Sequence, residues 1–107
     1  HIIVDIHNAP LRALIDQSHF EGLLVKSVLD AGAKILTKCF HSFGDDSGFT
    51  GVICLMESHV SIHTWPEHSY AAVDVFMCGN ADPQKVVDAI QNALPTAKFT
   101  IQSISRG

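Results

Sequence analysis

Charge is scarce in this chain. Only 17% of its 107 residues are Asp, Glu, Lys or Arg, and they sum to −4. That balance offers no basic patch for nucleic acid or an anionic membrane, so neither is expected as a partner. No apolar run approaches the roughly 20 residues that a membrane span needs, and no signal peptide opens the chain. Cysteine is limited to Cys39, Cys54 and Cys78, an odd number without the spacing of a disulfide framework. They predict reduced thiols in a cytoplasmic protein. No linker, low-complexity segment or repeat divides residues 1–107, which are read as one domain. The chain begins at His1 within an apolar strand pattern, which predicts that a few residues precede it.

What is plentiful is apolar side chain, at 47% of residues. So much apolar surface on so short a chain favours a homodimer or higher homo-oligomer. The pattern predicts a strand over residues 1–6, ended by the turn signal Asn8-Ala9-Pro10. A helical stretch follows over 11–33, broken near 17–19, with Leu23, Leu24, Val28 and Ala31 at helical spacing and Gly32 as its stop. Strands are then predicted over 34–40, 51–56, 57–64 and 70–77. A Gly- and Asp-rich loop occupies 41–50. Asp82 and Pro83 open a second helix carrying Val86, Val87, Ile90 and Leu94, which Pro95 stops before a closing strand at 98–104. The order β-α-β-β-β-β-α-β predicts an α+β fold: two βαββ-like halves in a two-layer sandwich, with helices on one face of a mainly antiparallel sheet.

The densest chemistry lies in Met56-Glu57-Ser58-His59-Val60-Ser61-Ile62-His63-Thr64-Trp65-Pro66-Glu67. His59, Ser61 and His63 share one side of a period-2 alternation, and Val60, Ile62 and Thr64 share the other. His59 and His63 would form a zinc pair only on a helix, which the β-branched alternation and Trp65-Pro66 oppose, and no third ligand is placed. No metal is therefore expected. Cys78 with His63 as a thiol hydrolase has no supporting motif. Cys39 and Cys54 read as small buried hydrophobes.

The run from Glu57 to Glu67, followed by Tyr70-Ala71-Ala72-Val73-Asp74-Val75-Phe76 and Cys78-Gly79, closely resembles the bacterial S-adenosylmethionine decarboxylase proenzymes. The resemblance is sharp from Gly51 to Gly79 and extends over most of the chain. It implies a self-processing decarboxylase with a pyruvoyl cofactor made from Ser58. Cleavage would fall between Glu57 and Ser58, giving a β chain of 1–57 and an α chain of 58–107. By the same resemblance His63 is the processing base, and its odd spacing from Ser58 requires a bend to bring it round. Thr50 supplies a supporting hydroxyl, Cys78 is the proton donor in turnover, and Glu67 and Phe43 bind substrate. In turnover the substrate amine forms a Schiff base with the ketone, which acts as electron sink. Cys78→Ala is accordingly expected to cleave but to decarboxylate poorly.

The sequence departs from the family at His68-Ser69 and in the acidic loop Phe43-Gly44-Asp45-Asp46-Ser47-Gly48-Phe49. Asp45 and Asp46 are either a solvated turn or a grip on the distal cation of ornithine, arginine or lysine. The expected function is S-adenosylmethionine decarboxylation for spermidine synthesis. The alternatives are a pyruvoyl decarboxylase of a basic amino acid, or an unprocessed, non-catalytic partner subunit.

Overall fold

A computed structural model describes residues 1–106. Six strands form one sheet in the order β2-β3-β4-β5-β1-β6, and every neighbouring pair is antiparallel. The strands are β1 (Ile2–His7), β2 (Ile35–Ser42), β3 (Phe49–Leu55), β4 (Ser58–Trp65), β5 (Tyr70–Phe76) and β6 (Lys98–Ser103). Helices α1 (Leu11–Leu14) and α2 (Gln17–Asp30) follow β1, and α3 (Gln84–Ala93) precedes β6. A short 3-10 turn, Pro66–His68, follows Trp65-Pro66. The α+β class, the antiparallel sheet and the element order agree with the sequence pattern.

The core lies between the helices and one face of the sheet. Alternate residues point inward: Ile2, Val4 and Ile6 from β1, Ile53 and Leu55 from β3, Val60 and Ile62 from β4, and Ala71, Val73 and Val75 from β5. Phe20, Leu24 and Val28 of α2 and Val86, Val87 and Ile90 of α3 meet them, all at most 1% exposed. Burying each such side chain contributes about 1.5–3 kcal/mol. The opposite face carries His59, Ser61, His63, Tyr70, Asp74 and Phe76 and is covered by no helix among the described residues.

Local signals explain the boundaries. Asp16 caps α2 by accepting from His19 N at 3.1 Å, so the helical stretch breaks one residue before the expected place. At the other end, Gly32 N bonds Leu29 O at 3.0 Å and Ala33 N bonds Val28 O at 3.0 Å. This pair of bonds needs a left-handed residue, and Gly32 has φ +90°. Asp82 Oδ1 accepts from Gln84 N at 3.1 Å, and the helix starts at Gln84 rather than Pro83.

The expected loop over 41–50 is shorter than predicted. β2 and β3 pair as far as Ser42 opposite Phe49, because ladder bonds outweigh weak local propensity. Thr64 locks the end of β3: its buried hydroxyl donates to Leu14 O at 2.8 Å and accepts from Phe49 N at 2.9 Å. Gly48 passes so close that a Cβ there would lie 2.3 Å from Thr64 O.

Candidate active site

Antiparallel pairing sorts the predicted site residues to opposite ends of the sheet. β3 and β4 are joined by the two-residue turn Met56-Glu57, with Leu55 opposite Ser58. Glu57 adopts φ +65°. A non-glycine residue there costs about 1–2 kcal/mol because its Cβ crowds the carbonyl oxygen. The strained residue is therefore the one before the expected cleavage point.

Beside this hairpin stands the loop after β5. Cys78 Sγ donates to the Glu57 carbonyl oxygen at 3.2 Å, and Ser58 Oγ lies 3.5 Å from the same sulfur. The serine hydroxyl, the thiol and the Glu57–Ser58 peptide carbonyl thus form one cluster. It opens into a cavity of about 270 Å³. Gly32, Ala33 and Lys34 form one wall, and Gly79, Asn80 and Ala81 another. A hydroxyl adjacent to the preceding peptide carbonyl, with a donor already on the oxygen, suits attack of that hydroxyl on the carbonyl carbon.

The second group lies at the far end. Thr50 faces His63 across the β3–β4 ladder, and its Oγ1 contacts His63 Nδ1. The His63 ring lies 6.1 Å from that of Trp65, which stacks on Tyr70 at 5.4 Å. Tyr70 donates its hydroxyl to Asp5. That bond, with burial and the negative charges of Asp5 and Asp74, pushes the phenol up to about 12. Glu67 is exposed on the 3-10 turn. Phe43 is 63% exposed and sits 4.9 Å from the His41 ring. Gly48, at the end of the acidic loop, packs on Thr64 and Pro66, which brings Phe43, Asp45 and Asp46 to this same end.

The expected bend between Ser58 and His63 is absent. β4 is paired without interruption to β3 over 58–63 and to β5 over 59–65. Five residues at about 3.3 Å each hold the two some 16 Å apart. Nor do His59 and His63 share a ligand position, since four strand residues separate them by about 13 Å. His59 instead lies 5.5 Å from the Phe76 ring, near His1, whose Nε2 is 3.1 Å from Asp74 Oδ1. Lys34 and Asn80 escaped the sequence reading, because only the meeting of three loops brings them to Ser58. Tyr70 and Asp5 escaped it too, being paired across strands 65 residues apart.

Comparison with known proteins shows the family and agrees with the fold. The model of the S-adenosylmethionine decarboxylase family matches residues 1–107. S-adenosylmethionine decarboxylase proenzymes of Caldicellulosiruptor saccharolyticus and Methanococcus aeolicus are 39% and 41% identical to it over 108 residues. Each alignment takes in 100% of this chain, with 86% and 92% of the respective relatives. The crystal structure of the adenosylmethionine decarboxylase from Aquifex aeolicus superposes with a TM-score of 0.78 at 29% identity, covering 94% of this chain and 85% of that one. Fold and site together define a decarboxylase built on one antiparallel sheet. More narrowly, the chain belongs to the S-adenosylmethionine decarboxylase family.

Proposed function

We propose that the chain cuts itself between Glu57 and Ser58 and then decarboxylates S-adenosylmethionine, supplying the aminopropyl donor for spermidine synthesis. The observation that carries the reading is the thiol of Cys78 on the Glu57 carbonyl oxygen, with the Ser58 hydroxyl beside it. Ser58 Oγ attacks the Glu57 carbonyl carbon, and the oxygen of the tetrahedral adduct keeps the Cys78 hydrogen bond. Collapse breaks the C–N bond and leaves an ester, with Ser58 nitrogen taking a proton. A base then removes the Ser58 α-proton and the ester oxygen departs with Glu57, leaving dehydroalanine. Water replaces its nitrogen as ammonia to give the pyruvoyl group on chain 58–107. That group supplies a ketone for the substrate amine and a sink for the electron pair left by carbon dioxide. Cys78 then has a second use, delivering a proton to the carbon that lost carboxylate.

His63 supplies the base, with Thr50 holding Nδ1. Since His63 lies about 16 Å from Ser58 in its own chain, the base comes from a second copy. Two copies packed by the open face about a two-fold axis set the Ser58 end of each against the His63 end of the other. The half-buried Phe76 and the Trp65 ring on this helix-free face support such packing. Glu67 and Phe43, at the His63 end, then reach substrate held at Ser58 of the partner. The three free thiols support a cytoplasmic setting, and no helix among the described residues is long and apolar enough to cross a membrane.

Intact mass of the denatured protein tests the first half. Two fragments meeting at Glu57/Ser58, the second ending in a ketone, are expected; one uncut species overturns the reading. Carbon dioxide release from S-adenosylmethionine, run beside ornithine, arginine and lysine, tests the substrate. Release only from a basic amino acid overturns that assignment.

A further inference from the structure

One lysine borders the cavity at Ser58, and neither cleavage nor turnover uses it. Lys34 lines it together with Met56, Glu57, Ser58 and Cys78. No acid lies within ion-pair distance of its ammonium among the described residues. Its backbone fixes it there, because Met56 N bonds Lys34 O at 2.9 Å. Lys34 is thereby tied to the residue directly before Glu57. We propose that Lys34 is the counter-ion for the carboxylate that cleavage creates at Glu57. The inference rests on the processing reading above.

The chemistry calls for such a partner. Cleavage turns the Glu57 carbonyl into a terminal carboxylate, whose second oxygen is the former Ser58 Oγ. With its side chain, Glu57 then carries two negative charges at the mouth of a site that must admit a carboxylate-bearing substrate. Cutting also frees Glu57 from its left-handed conformation, so the new terminus can turn toward Lys34. The other carboxylate of suitable class is that of the substrate. A lysine on that group would stabilise the charge that has to depart, opposing the reaction. The terminus is the better occupant.

The chain has three glutamates, at 21, 57 and 67. Labelling with [1-13C]glutamate therefore gives one free carboxyl signal after cleavage, that of Glu57, since the other two are amide carbonyls. In the processed enzyme this signal is expected to titrate about one pH unit lower than in Lys34→Gln. Lys34→Arg should match the native enzyme, and all three should cleave at the same rate because the pair forms only afterwards. Equal midpoints in the native and Lys34→Gln proteins overturn the proposal. Equal midpoints with a tenfold higher KM in Lys34→Gln would assign the lysine to the substrate carboxylate instead. A native chain with no titrating signal overturns the processing reading itself, and this inference with it.

Discussion

On the proposed function Cys78 carries two duties at the scale of a single side chain, and the structure changes what its loss should do. The sequence resemblance assigns it to turnover alone. Its bond to the Glu57 carbonyl oxygen would make it a donor for cleavage as well. Cys78→Ala is therefore expected to cleave about 10²–10³ times more slowly, and Cys78→Ser to recover most of that rate, by mass spectrometry over time. Unchanged cleavage in the alanine variant would remove the donor role. Ser58→Ala should yield neither cleavage nor activity. Tyr70 offers a test by pH. Its phenol is raised above the ordinary value near 10, so the stabilising contribution of its neutral form is complete below pH 10. It should fade as pH climbs through about 12, by the linkage of proton binding to folding. Tyr70→Phe should flatten that part of the stability profile in alkaline denaturation.

Among the elements, β4 carries both Ser58 and His63 and is paired on both sides. Thr64 bonds Leu14 O and Phe49 N while buried, so Thr64→Val leaves both groups unpaired. A loss of about 1–3 kcal/mol is expected in urea unfolding, and a loss under half of that would show that water replaces the hydroxyl. The alternation of β4 was legible because Val60, Ile62 and Thr64 read as an inward face and are one. The stop at Gly32 was legible because its chemistry is local, whereas the Asp16 cap was not read and the break was placed one residue late. The distance from Ser58 to His63 was not. Odd spacing permits either a bend or a straight strand, and pairing to β3 and β5 decides between them. Those neighbours are set by long-range packing. The ends of β2 and β3 were misjudged likewise, since Gly and Asp between 44 and 48 suggest a longer loop than the ladder allows.

For the whole molecule, the two ends of the sheet are the central fact. If each site draws Ser58 from one copy and His63 from another, mixing two dead variants should restore cleavage. Ser58→Ala and His63→Ala, each uncut alone, are expected to form a mixed dimer with one complete site. Only the His63→Ala chains should be cut, because they alone retain the serine. Their cleavage is read by giving the two variants different masses. Cutting of neither chain, with mixed dimers present, would return His63 to its own chain or remove it from processing.

If the base comes from a second copy, the unbroken ladder of β4 also makes maturation a matter of population. A newly made chain would then carry every group it needs, yet as a lone copy could not bring them together. The fraction of chains ripening per unit time should therefore rise in proportion to concentration while chains are rare, and become independent of dilution once pairs are stable. Abundance would decide when the precursor becomes an enzyme.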